Sequence, residues 1–165
     1  MSITPILVDG SGDMILRKLA MKIAFAYLGR WYKWGGDDPS GFDCSGFVIE
    51  ILQSVGLVGR KEDLTAAGLW ERFKHCKVSR PCAGVLVFWT DRKGNIIHIE
   101  MAISTVHAIG ASGGGSGTIT AEDAIRRNAF IKIRPIESRQ RIRGYADPFV
   151  LVEHTEEVDA DEILH

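Results

Sequence analysis

Cysteine is scarce in this chain. Three occur among 165 residues, Cys44, Cys76 and Cys82, so they cannot all pair. That excludes a disulfide framework and suits a reducing compartment, or a protein released without the usual export route. Cys76 and Cys82 either bridge or remain two free thiols near a helix end and a strand start. No paired-cysteine spacing suggests zinc, and neither a metal nor a cofactor is expected. Long apolar runs are also missing: none reaches the roughly 18 residues that a membrane-spanning helix needs. Excess charge of one sign is absent too, with 20 Lys and Arg against 21 Asp and Glu. Nucleic acid is therefore not the expected partner. Met1 to Gly12 has no basic start, apolar core and small-residue cleavage site, so no secretory signal is expected.

What is present fits one folded domain, expected over residues 1–152. Residues 153–165 carry Glu153, Glu156, Glu157, Asp159, Asp161 and Glu162 and are expected to form a frayed acidic tail. No internal repeat is visible. Ile15, Leu16, Leu19, Ala20, Ile23, Ala24 and Tyr27 are spaced as a helix face that Gly29 ends. Residues 61–75 predict another helix, which Gly68 weakens. The period then changes to strands: Gly84 to Trp89, Ile96 to Ile103 and Val106 to Ser112, with a turn at Asp91 to Asn95. Gly113 to Gly117 is either a connector or a mobile rim. Thr120 caps a helix over Ala121 to Asn128, and Ala129 to Pro135 is a fourth strand. Arg139, Arg141 and Arg143 alternate as on a solvated edge strand guarded by charge, with a grip on acidic polymer as the lesser reading. A last strand is expected over Tyr145 to Val152. Helices first and an antiparallel sheet after give an α+β class.

One stretch stands apart. Trp31 to Gly41 is crowded with turn formers, and Phe47, Val48, Ile51, Leu52 and Val55 then fall on one helix face, closed by Gly56. Cys44 lies at the junction with Asp43 before it as a cap. A thiol at a helix start feels the positive end of the backbone dipole, which is expected to lower its pKa. Small residues flank this cysteine where a core cysteine would have large apolar neighbours, so it is read as a nucleophile.

The run Tyr32-Lys33-Trp34-Gly35-Gly36, then Gly41-Phe42-Asp43-Cys44-Ser45-Gly46-Phe47-Val48, resembles the signature of the NlpC-type cell-wall peptidases. The resemblance extends more weakly from about Leu19 to Ser112. It implies a papain-like core in which the cysteine helix packs on a sheet carrying the base. It also implies that Tyr32 lines the site and that Asp43 and Ser45 hold a substrate amine or peptide, although Asp43 also suits a plain helix cap. Trp34 and Phe42 are expected to pack under the loop.

Of five histidines, His75 lies on a predicted surface helix, and His154 and His165 in or near the tail. His98 and His107 remain. His98 follows a short strand and turn, as the base does in the resembling family, and is taken as the base. The chain also departs from that family. Val85 stands where an aspartate is usual, Glu100 where glycine is usual, and Gly110 where a polar orienting residue is usual. A hairpin turning at about Ser104 would set His98 opposite Gly110. Glu100, two residues from His98 and so on its face, ranks first as the orienting group, ahead of His107 and Ser112; a dyad assisted by water is the further option. The backbone N–H of Cys44 is a natural oxyanion donor.

The expected function is a cysteine hydrolase of peptidoglycan stem peptides, cutting between D-glutamate and a diamino acid through a Cys44 thioester. Without a leader, cytoplasmic synthesis and a phage-borne or injected route to the wall are expected. The alternatives are a non-catalytic peptidoglycan-binding or tail module with a decayed site, and an acyltransferase or amidase acting on another acyl substrate.

Overall fold

A computed structural model describes residues 11–150. The expected acidic tail and the end of the expected last strand lie outside the described residues. Helix α1 (Ser11–Ala26) leads into a small hairpin, β1 (Asp37–Asp38) and β2 (Gly41–Phe42), then α2 (Cys44–Ser54) and α3 (Ala66–Phe73). The main sheet comprises β3 (Lys77–Val78), β4 (Leu86–Thr90), β5 (Ile96–Ala102), β6 (His107–Ser112), β7 (Phe130–Pro135) and β8 (Ile142–Ala146). Helix α4 (Ala121–Arg127) bridges β6 and β7. Every pairing is antiparallel, and the strand order is β3-β8-β4-β5-β6-β7. This is the α+β layout expected.

Side-chain alternation gives the sheet two apolar faces. Leu86, Phe88, Ile99, Met101, Ile109 and Ile131 meet Phe47, Val48, Ile51 and Leu52 of α2 and Leu69 and Trp70 of α3. Val85, Val87, Trp89, Ala102, Ala108 and Ile136 form a smaller cluster on the other face. Val85 is thus a core residue. Tyr27, Phe42 and Phe47 pack edge to face, with centroids 5.0 to 6.4 Å apart. Such ring pairs contribute ~0.5–1.5 kcal/mol each beyond burial, and these lock α1 and the hairpin to the start of α2.

Several boundaries differ from the sequence expectations. The third helix is half the expected length because it starts only after Thr65, whose side chain caps it by accepting from Gly68 N–H. Residues before it are committed elsewhere, since Gln53 donates to the carbonyls of Gly59 and Glu62. A 3-10 turn, Lys74–Cys76, continues α3. Cys76 and Cys82 are free thiols, the first buried and the second exposed. The last strand ends at Ala146, and it is not an edge: β8 lies between β3 and β4. The reading of Arg139 to Arg143 as a charged edge therefore fails. Arg141 adopts a left-handed φ of 66°, which breaks the alternation just before β8 begins.

Candidate active site

The loop before α2 explains why Cys44 sits where it does. Asp43 caps the helix: its Oδ1 accepts from Gly46 N–H at 2.7 Å and from the Ser45 hydroxyl at 3.2 Å. Its Oδ2 accepts from Gly35 N–H at 3.1 Å. One carboxylate thus ties both halves of the motif together. The motif glycines are contact requirements. A Cβ on Gly46 would fall 2.0 Å from the Gly36 carbonyl oxygen, and one on Gly36 would fall 2.2 Å from that of Gly41.

The start of α2 faces the start of β5 and the end of β6, and a cleft of about 460 Å³ opens between them. Tyr32, Trp34, Asp43, Cys44, Ser45, His98, Ser112 and Arg139 are among its lining residues. Cys44 and His98 therefore share one cavity. Backbone N–H groups of Ile99, Ser45 and Cys44 itself are directed at the sulfur. The first of these follows His98 in the chain, so β5 approaches the thiol closely.

His98 and Glu100 lie on one face of β5, and Nε2 of the imidazole is 2.8 Å from Glu100 Oε1. Both side chains are buried. A carboxylate accepts, so Nε2 carries the proton and Nδ1 is left with its lone pair. The indole of Trp89, directly across from His98 on β4, lies 5.5 Å from the imidazole ring.

The β5–β6 register pairs Met101 with Ile109 and Ala102 with Ala108. Continued along the strands, it sets Gly110 across from Glu100 and Ser112 across from His98. The hairpin thus turns one residue later than expected, and His98 does not oppose Gly110. His107 is exposed, pairs with Pro135 at the far end of β6, and does not line the cleft. Ser112 does line it, but its hydroxyl accepts from Arg134 at 2.7 Å and Arg139 at 3.4 Å.

The charge state of the thiol differs from the expectation. Burial, seconded by the Asp43 carboxylate, pushes Cys44 up to about 11, and the three N–H groups only partly offset this. The helix start alone does not win, first because the sulfur is buried and second because the capping carboxylate lies one residue away. Burial also holds the His98 imidazole below its ordinary value, against the raising effect of Glu100. Both effects favour the uncharged forms, thiol and neutral imidazole. Tyr32 is buried, and burial together with Cys44 and Asp43 raises its hydroxyl, which stays protonated.

Two cleft residues have places that the sequence did not suggest. Trp34 does not pack under the loop; it is half exposed at the rim, whereas Phe42 is fully buried. Arg139 enters the cleft wall with its guanidinium 5.9 Å from the Trp89 ring centroid. The arginine alternation pointed to a surface strand, and no local signal marks residue 139. Among the described residues, no helix is long and apolar enough to cross a membrane, and no cluster of three or more acidic, histidine or cysteine residues could hold a metal.

The family model described as "NlpC/P60 family" matches residues 29–134. The probable peptidoglycan endopeptidase LytE of Bacillus subtilis is 40% identical over 88 residues, covering 52% of this chain and 25% of that protein. Protein P54 of Enterococcus faecium is 39% identical over 83 residues, 48% of this chain and 15% of that protein. The chain thus spans a quarter or less of the length of these relatives. Among solved structures, the NlpC/p60 domain of the peptidoglycan hydrolase SagA superposes with a TM-score of 0.57 at 25% identity, covering 79% of this chain and 97% of that one. An NlpC/P60 family protein from Bacillus cereus gives a TM-score of 0.64 at 21% identity, covering 81% and 40%. The papain-like layout, the cysteine at a helix start and the extent of the match agree: this chain belongs to the NlpC/P60 family.

Proposed function

We propose that the chain is a cysteine hydrolase acting on peptidoglycan stem peptides, at the amide bond between D-glutamate and a diamino acid. The observation that carries this reading is the orientation of His98. Glu100 engages Nε2, which leaves Nδ1 as the basic nitrogen in the cavity that also holds Cys44. In this reading Cys44 is the nucleophile, His98 the base and Glu100 the orienting group.

The chemistry follows from the neutral resting pair. Sulfur attacks the scissile carbonyl as its proton passes to His98 Nδ1. The oxyanion of the tetrahedral intermediate faces the Cys44 backbone N–H at the start of α2. The imidazolium, held by Glu100, gives its proton to the leaving amine, and a thioester remains. Water then attacks with His98 as base and frees the acid and the thiol. Tyr32, Asp43 and Ser45 line the approach, and the Asp43 carboxylate suits a free amine on the acyl side.

The relatives named above supply the wall substrate, and the resemblance of the Cys44 motif supplies the bond. A decayed site is favoured in sequence by Gly110 and Val85, but Glu100 provides the buried carboxylate that Gly110 lacks, and Val85 is packed in the core. Digestion of purified peptidoglycan, read by mass spectrometry, tests the proposal. New termini at the D-glutamyl bond are expected, with activity lowered at least ~10⁴-fold in Cys44→Ala. Intact sacculi alongside turnover of a small acyl donor would instead favour an acyltransferase.

A further inference from the structure

Arg139 forms part of the cleft wall, and Arg134, which also donates to the Ser138 hydroxyl, stands behind it. Arg134 and Arg139 both donate to a single oxygen, the Ser112 hydroxyl. Neither forms an ion pair among the described residues. Arg139 Nε is buried without a hydrogen-bond partner, the one such side-chain atom among the described residues. Both arginines are half-buried, and even partly desolvated charge is ordinarily paired because desolvation is costly. The nearby carboxylate, Glu100, is engaged by the imidazole. At the other end, Asp43 borders a smaller hollow of about 170 Å³ that Asp37 and Asp63 also line. Cys44 is therefore flanked by an acidic hollow on the Asp43 side and by Arg139 on the His98 side.

The direction of the substrate follows from the proton transfer. His98 must deliver its proton to the leaving nitrogen, so the leaving residue lies on the imidazole side. Ser112 is across from His98 in the sheet, and Arg139 stacks on Trp89, the cross-strand partner of His98. We infer that Arg139, backed by Ser112 and Arg134, is a specificity subsite that grips a carboxylate on the leaving amino acid. The inference rests on the hydrolase reading above. Arg139 does not touch the reacting atoms; its fork-shaped donor selects the substrate by a charge-assisted, two-pronged contact.

The test compares γ-D-glutamyl peptides that differ in one group. In the first the leaving residue ends in a free carboxylate, and in the second in its carboxamide. In the third the carboxylate is kept but the glutamyl α-carboxylate is amidated. The readout is the ratio of kcat/KM values. For wild type, the first substrate is expected to exceed the second by about 10- to 100-fold, the range of a charged hydrogen bond. In Arg139→Gln that ratio should fall to near one, whatever the absolute rates, and Arg139→Lys should keep part of it. The ratio of first to third should not depend on Arg139. No preference in wild type, an unchanged ratio in Arg139→Gln, or dependence that follows the glutamyl carboxylate would each overturn the inference. If wild type cleaves none of the three, the hydrolase reading itself fails. Calorimetric binding of the leaving acid and its amide to Cys44→Ala then decides the subsite: tighter binding of the acid, lost on adding Arg139→Gln, supports it, and equal binding overturns it.

Discussion

Gly110 and Glu100 compete for the same space: a Cβ on Gly110 would fall 2.5 Å from Glu100 Cγ. The two strands have exchanged roles relative to the pattern their motif resembles, with the carboxylate on β5 and the empty position on β6. Gly110→Ala should therefore cost stability by about 1–3 kcal/mol, the range for overpacking, and displace the carboxylate from His98. Denaturant midpoints and kcat together check this. Gly110→His alone should be worse. Adding Glu100→Gly should recover activity over that single variant, because the new imidazole then has room. Strictly additive losses in the double variant would show that the exchange is not reciprocal.

Glu100→Gln should lower kcat about 5- to 15-fold, as expected when a charge-assisted hydrogen bond of ~1.5–3 kcal/mol becomes a neutral one of ~0.5–1.5 kcal/mol. Glu100 raises the His98 pKa, so the variant should titrate lower. The base must be neutral to accept the thiol proton, so the acidic limb of the kcat/KM profile should move to lower pH. A limb moving upward would mean that Glu100 does not hold the imidazole.

Asp43 is expected to restrain the thiol. Its carboxylate is the second-largest contribution raising Cys44 after burial. Asp43→Asn keeps an oxygen to accept from Gly46 N–H but removes that charge. Iodoacetamide should label Cys44 several-fold faster in the variant at pH 8, read by peptide mass spectrometry, while exposed Cys82 serves as an internal standard. Peptides with a free amine should bind the variant more weakly. Slower labelling would indicate that the lost Gly35 contact opens the loop and outweighs the charge.

Acid should weaken the fold through His98. Its pKa is lowered in the folded state, chiefly by burial, with Arg139 and Arg134 adding to that and Glu100 opposing it. Below the ordinary value of about 6.5, the unfolded chain binds the proton more readily. The stability that His98 contributes is then complete above that pH and declines as pH falls toward the folded-state value. Between pH 7.5 and 5.5 the urea midpoint of wild type should drop more than that of His98→Asn. Parallel drops would assign the acid sensitivity to other groups.

Local chemistry made much of the fold legible. The Cys44 helix, the caps at Asp43 and Thr120, and the strands around His98 and Ile109 follow from side-chain period and turn residues that act within a few positions. Thr120 even completes a reciprocal cap with Asp123. What local patterns did not reveal depends on distant chain. Arg139 enters the cleft because β8 returns to the middle of the sheet. Trp34 is displaced to the rim while Phe42 takes the buried place beside Tyr27. The thiol's charge balance depends on how deeply the sulfur is packed, which helix position alone does not encode.

The placement of β8 bears on where this chain can be cut. The match to the family ends at residue 134, before Ile142–Ala146. A truncation at that point would take out neither a fringe nor a linker. It would leave β3 and β4 without the neighbour that joins them, uncovering ladder groups along the whole of Leu86–Thr90. A ribosome making this chain must therefore release it through residue 146 before this sheet can close, and the last of its described strands to emerge is the one that completes the middle.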